Sequence, residues 1–225
     1  MAWVAQDLFN QDSDGDLNGQ GGGSGFSAAW TGSTVFDVTG SGTPYEGSKH
    51  ILAQLEADSE VTIDRSLTTA VTAGTVYISV KIDNTAGTRR GNIYLYRGAT
   101  LVGRILFTRD GASNNKIYLY DGTTFQVLDA AMANNTYYRI GIDWDEGSMS
   151  NKYRANINNG TFSSYYNTIA AISTGIDKIT LSDLGNNGSG TGPIYFDTIS
   201  PDYTPSDPSG PANINRGLNL MGVGQ

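Results

Sequence analysis

The chain has 225 residues, a single histidine, no cysteine, and a net charge of −8 from 14 basic against 22 acidic side chains. Without cysteine there is no disulfide framework and no thiolate metal site, and the acidic balance repels a phosphate backbone, so nucleic acid is excluded as a partner. With 29 glycines, 13 tyrosines and 16% charged residues, the composition suits one many-stranded β-domain better than a helix bundle.

The opening Met1-Ala-Trp-Val-Ala-Gln-Asp7 has no basic start followed by an apolar run, the mark of a secretion signal. Either a signal was cut away and replaced by Met1, or the protein is assembled without secretion, which is the expectation here. No apolar stretch approaches the roughly 18–20 residues of a membrane span, so no membrane partner is expected. Residues 1–47 alternate short strands with glycine-rich loops, the longest being Gly19-Gln-Gly-Gly-Gly-Ser-Gly25. Strands are predicted at 34–39, 48–56, 60–67, 75–83, 91–97, 101–109, 115–120, 136–145, 151–158, 176–183 and 193–199. They are divided by turn signals such as Asp83-Asn84, Arg109-Asp-Gly111, Asp121-Gly122 and Asn158-Asn-Gly160. Val76, Ile78, Val80 and Ile82 alternate with polar residues, as do Tyr138, Ile140, Ile142 and Trp144. A period of two with one oily face is the mark of a half-buried strand, so these two rows should meet in the core. Only 128–133 reads as a helical turn.

Eleven or so strands without intervening helices predict an all-β fold: a two-sheet antiparallel jelly-roll sandwich over residues 1–200. Residues 201–225 form a proline-rich tail, since Pro201, Pro205, Pro208 and Pro211 cannot donate to a sheet ladder. Its oily end, Leu218, Leu220, Met221 and Val223, is expected to dock on a partner by adding a strand to a sheet edge.

Chemistry-bearing residues are few. Asp12, Asp14 and Asp16, with Asn18, place four oxygen side chains at alternate positions, as a hard cation such as Ca2+ prefers. An EF-type loop is rejected, because Leu17 stands at its glycine position and Gly23 where a glutamate should close it. Asp143 and Asp145 share a strand face, but an acidic pair beside Lys152 and Arg154 on the returning strand accounts for them equally well. His50 has no evident acid or nucleophile partner, and the His, Gln, Arg and Tyr of a sheet-type lyase site are scattered in the sequence. Tyr94 and Tyr96 alternate with Ile93 and Leu95, and Tyr118 and Tyr120 with Ile117 and Leu119. In each strand the aliphatic face must be core, so the tyrosines line the outer or concave face. That face is a glycan platform, a surface covered by a neighbouring subunit, or ordinary cross-strand pairing.

Three local patterns carry a family resemblance. Asp7-Leu-Phe9 with Leu17-Asn-Gly-Gln-Gly-Gly-Gly-Ser-Gly-Phe26 and Trp30, the closing strand Ile194-Tyr-Phe-Asp-Thr-Ile199, and Trp144-Asp with Lys152-Tyr-Arg-Ala-Asn-Ile-Asn-Asn-Gly160 resemble the concanavalin A-like, laminin G-like jelly-roll superfamily. Phe26 stands where a tryptophan is usual. The superfamily hosts lectins, glycosidases, lyases, adhesins and virion parts, so fold leaves function open. The resemblance implies a calcium ion shared between an N-terminal loop and a last-strand aspartate. Asp197 matches that position, and backbone carbonyls near Asn18–Gly21 would complete the shell. The Glu-x-Asp-x-x-Glu pattern of its glycosidase branch is missing.

These features together predict a non-enzymatic structural protein of a bacteriophage virion: a capsid decoration or cement protein, or another head or tail surface protein. Its partners would be capsid or other virion proteins and further copies of itself, with glycans in addition, and its location the virion. The rival reading is an extracellular carbohydrate-binding or adhesive jelly roll, and the next a polysaccharide-degrading enzyme.

Overall fold

A computed structural model describes residues 2–54, 59–83, 88–109, 115–184 and 192–203. The docking residues expected in the tail, Leu218, Leu220, Met221 and Val223, lie outside the described residues. The strands are β1 (Gly15–Asp16), β2 (Thr31–Gly32), β3 (Phe36–Thr39), β4 (His50–Ala53), β5 (Val61–Val71), β6 (Ala73–Ile82), β7 (Arg89–Arg97), β8 (Thr100–Arg109), β9 (Lys116–Tyr120), β10 (Phe125–Asp129), β11 (Tyr138–Asp145), β12 (Lys152–Ile157), β13 (Tyr166–Asn167), β14 (Ile176–Asp183) and β15 (Ile194–Ser200). No helix occurs among the described residues.

They form two antiparallel sheets, an eight-stranded one in the order β1-β3-β4-β15-β6-β11-β12-β13 and a seven-stranded one in the order β10-β9-β8-β7-β14-β5-β2. The two alternating rows meet as their period requires: Ile140 lies opposite Ile78, Ile142 opposite Val76 and Tyr138 opposite Val80. Those β6 residues, with Ile140, Ile142 and Trp144, are fully buried. From the other sheet Ile63, Leu181, Ile93, Ile105 and Leu119 complete the core. Trp144 donates its indole N–H to the Val71 carbonyl at 3.0 Å, so its one polar atom is satisfied inside.

The predicted turn at 128–133 is corrected. Asp121 accepts the backbone N–H groups of Thr123 and Thr124 at 2.9 and 2.6 Å, closing a tight turn that returns Phe125–Asp129 onto β9 as an edge strand. A bulge between Val127 and Asp129 breaks the period of two, which is why this strand is not legible in the sequence.

The N-terminal signature is a clasp. Asp7 is buried and accepts from Trp30 Nε1 and Arg65 Nη1, each at 3.0 Å, and from the backbone N–H of Phe9. Its backbone bridges Ile199 at the end of β15, and Gln6 bridges Ser24. The glycine run passes so close beneath this segment that a Cβ on Gly23 (φ +80°) would stand 2.3 Å from the Gln6 carbonyl. Phe26, in the usual tryptophan position, lies 4.6 Å from the Arg65 guanidinium, a cation–π contact.

Candidate functional site

Side chains alternate across a strand, so the neighbours of the buried row Ile63, Leu181, Ile93, Ile105 and Leu119 face outward from the seven-stranded sheet. The register sets Asp64, Thr180, Tyr94 and Arg104 side by side, and Tyr120 and Phe125 continue the row to the edge. A second row runs Thr62, Ser182, Asn92, Leu106, Tyr118 and Val127. At about 4.8 Å per strand the face is roughly 29 Å wide.

All four predicted tyrosines lie on this face. Tyr94 is buried, while Tyr96, Tyr118 and Tyr120 are half-buried. Phe125, which sequence reasoning missed, packs 5.8 Å from Tyr118 and 4.8 Å from Tyr120 between ring centres and is 39% exposed, beside Val127 at 53%. The result is an aromatic strip at the β9–β10 edge. Arg104 lies inboard of it, its guanidinium 5.1 Å from the Phe125 ring centre and 5.6 Å from that of Tyr94. Its Nε donates to Asn92 Oδ1 at 2.8 Å, which fixes the plane of the group.

Two carboxylates stand on the same face. Glu60, just before β5, accepts from Tyr94 Oη at 2.6 Å, from Asn92 Nδ2 at 3.3 Å and from Ser182 Oγ, all at one oxygen. Asp64 accepts from Thr180 Oγ1 at 2.7 Å and is ion-paired with Lys178 Nζ at 2.8 Å. Lys178 in turn lies 4.3 Å from the Tyr96 ring centre. Burial, then the bond to Glu60, push the Tyr94 phenol well above its ordinary value, so it stays a neutral donor.

The outer face of the eight-stranded sheet is closed instead. Adjacent strands β4, β15, β6 and β11 bring together His50, Asp197, Lys81 and Arg139, which look scattered in the sequence; all four are buried. Arg139 donates to Ser79 Oγ, Ser200 Oγ and the carbonyls of Thr198 and Asp202, with Tyr45 and Tyr77 over it. Burial lowers its pKa to about 10. His50 Nδ1 is 2.9 Å from Tyr137 Oη, and burial with nearby Lys81 lowers its pKa to about 4. The groups are covered and most of their polar atoms are bonded, though His50 Nε2 and Arg139 Nε meet no hydrogen-bond partner, and the contacts of Arg139 and Asp197 hold loops down. Asp143 and Asp145 divide similarly. Asp143 binds Arg154 Nε at 2.7 Å, Thr75 and Tyr165, whereas Asp145 caps the following turn through the N–H groups of Gly147 and Ser148.

The aspartates expected to hold calcium do not converge. Asp12 accepts the Gly22 N–H at 2.9 Å, Asp14 pairs with Lys49 at 3.1 Å, and Asp16 caps Asn18. Asp197 accepts the N–H groups of Tyr45 and Glu46 at 2.6 and 3.3 Å. Those donors point positive hydrogens where a cation would sit, so the arrangement does not fit the ion. Among the described residues no group of three or more His, Cys, Asp or Glu is placed to hold a metal. The implied site therefore does not carry over: its last-strand carboxylate is used to pin the 45–46 loop.

No protein-family model and no curated protein matches the sequence. Solved structures do match. A Bacillus licheniformis β-glucanase superposes with a TM-score of 0.54 at 14% identity, over 88% of this chain and 97% of that one. A glycoside hydrolase family 16 endo-glucanase from Bacteroides ovatus, in complex with G4G3G-2F-DNP, gives 0.52 at 12% over 87% and 98%. The Crh5 transglycosylase gives 0.50 at 13% over 88% and 85%. The fold is thus the concanavalin A-like jelly-roll sandwich that the N-terminal and last-strand patterns resemble. These neighbours are glucanases and a transglycosylase, and they overturn the expectation of a non-enzymatic virion decoration protein.

Proposed function

We propose that the chain is a polysaccharide-active jelly roll of the extracellular kind, which lays a glycan strand across the outer face of its seven-stranded sheet and hydrolyses it between Glu60 and Asp64. The carrying observation is the row Asp64, Thr180, Tyr94, Arg104, Tyr120, Phe125, where half-exposed rings adjoin fixed polar groups. The apolar C–H face of a pyranose lies against an aromatic face, while its hydroxyls seek directional partners. The Bacteroides ovatus neighbours, one with a G4G4G3G product and one with G4G3G-2F-DNP, support a glycan as the ligand.

Glu60 and Asp64 hang from the hydroxyls of Ser182 and Thr180, two residues apart on β14. An i, i+2 spacing along a strand is about 6.6 Å, at the lower end of the roughly 6.5–9.5 Å that inverting glycosidases keep between carboxyl groups. One carboxyl would protonate the glycosidic oxygen while the other activates water on the opposite side of the sugar.

Release of reducing ends from a polysaccharide panel, run beside binding measurements, tests the reading. Glu60→Gln and Asp64→Asn should each lower turnover about 10²–10⁴-fold, the usual worth of acid–base catalysis, while binding persists. Tyr120→Ala with Phe125→Ala should weaken binding itself. Turnover at the parent rate in both carboxyl variants would remove the hydrolytic assignment, and unchanged binding in the ring variants would remove the face.

A further inference from the structure

The same face carries a second signal, its charge. On a chain of net charge −8, the described outward positions of the seven-stranded sheet hold Arg90, Arg104, Lys116 and Lys178. Against them stand only Glu60 and Asp64, so four positive and two negative charges leave the face at +2. A neutral glycan gives no reason for a cationic face on an acidic protein. A low-dielectric wall focuses such a local field even where the whole molecule has the other sign.

Arg104 sharpens the point. Lys178 is neutralised by Asp64 at 2.8 Å, but Arg104 spends only Nε, on the uncharged Asn92. Among the described residues neither of its terminal nitrogens meets an acceptor, and it has no ion pair. The group is nevertheless held rigidly, by Asn92 at one end and by the Tyr94 and Phe125 rings beside it. Little side-chain entropy is left to lose when a ligand binds, and the planar fork presents parallel donors suited to a carboxylate. It stands in the row next to Tyr120, where a sugar ring on the aromatic strip would bring its substituent.

Resting on the reading of this face as a glycan site, we infer that its ligand is an anionic polysaccharide, with a uronate carboxylate seated on Arg104 and the sugar ring carried by Tyr120 and Phe125. The acid group comes from a uronate or from a sulfate ester, and the planar two-oxygen fit favours the uronate.

The test is calorimetry or affinity electrophoresis of the full chain with three probe classes: polygalacturonate and alginate, dextran sulfate, and mixed-linkage β-glucan. Uronate polymers should bind most tightly, with an affinity that falls as salt rises. Arg104→Gln should weaken that binding about 10- to 100-fold, the scale of a charge-assisted hydrogen bond, and leave the melting temperature in place. Arg104→Lys, which keeps the charge and loses the fork, should recover only part of the loss. Dependence on Arg104 with dextran sulfate alone would keep the anion site but overturn the uronate assignment. Tight binding of neutral β-glucan, unmoved by Arg104→Gln, would overturn the inference and leave the proposed function standing. Binding to no probe, with sedimentation as a dimer that Arg104→Gln dissociates, would show a second copy of the chain on this face and remove both.

Discussion

Trp144 joins three parts of the molecule through one side chain. Its ring is fully buried, packs edge-on to Trp3 at 5.8 Å, and ties to the Val71 carbonyl at the end of β5. Trp144→Ala should therefore cost about 3–5 kcal/mol, and a denaturant midpoint within error of the parent would refute the inward placement. Asp197 makes the second residue-scale prediction. Burial is the largest influence and raises its pKa to about 7, and Asp7 is raised in the same way to about 6. A carboxyl whose folded value exceeds its unfolded value of about 3.9 contributes stability that is full below that value and lost as pH rises through the folded one. Melting temperature should fall between about pH 4 and pH 7, and Asp197→Asn, which can still accept from Tyr45 and Glu46, should flatten the upper part of that fall. Parallel curves for the two proteins would contradict it. At this scale the sequence speaks through alternation: Tyr94, Tyr96, Tyr118 and Tyr120 reach one outer face because each is flanked by core aliphatics. Arg104 and Glu60 were not legible. Their roles depend on β7 lying between β8 and β14, and on Glu60 reaching across β14 to Tyr94, which no local pattern encodes.

At the scale of elements, the long strands were legible and the short ones were not. Strands of five or more residues with clean alternation appear close to their predicted limits. Two-residue strands such as Gly15–Asp16 and Thr31–Gly32 have no period to read, and β10 hides its pairing behind a bulge with Phe125 and Val127 turned outward. The N-terminal segment was recognised by pattern, but its physical reason is the buried pair of Asp7 and Arg65, both about 98% covered or more. Removing one partner of such a pair strands a charge inside, so Asp7→Ala should cost about 3–5 kcal/mol. Replacing both, Asp7→Leu with Arg65→Met, should cost markedly less than the two single changes summed. Additive costs in that double-mutant cycle would mean that the two side chains hold the clasp independently.

For the whole molecule, the two-layer architecture followed from strands without helices, while function did not follow from fold. Composition and the oily tail pointed toward a virion surface, and the structural neighbours turned the reading to polysaccharides. What distinguishes the two outer faces is cover. The eight-stranded sheet buries His50, Lys81, Arg139 and Asp197, whereas on the seven-stranded sheet Tyr94, Asn92, Thr180 and Ser182 are buried but Tyr96, Tyr118, Tyr120, Phe125, Arg104, Glu60 and Asp64 keep access to solvent. We propose that the glycan lies on the second of these. Amide chemical-shift mapping during titration with a uronate oligosaccharide tests it most directly. Shifts should concentrate on β7, β8, β9 and β10, with Tyr94, Arg104, Tyr120 and Phe125 among the largest; shifts centred on β6, β11 and β15 would place the glycan on the other sheet.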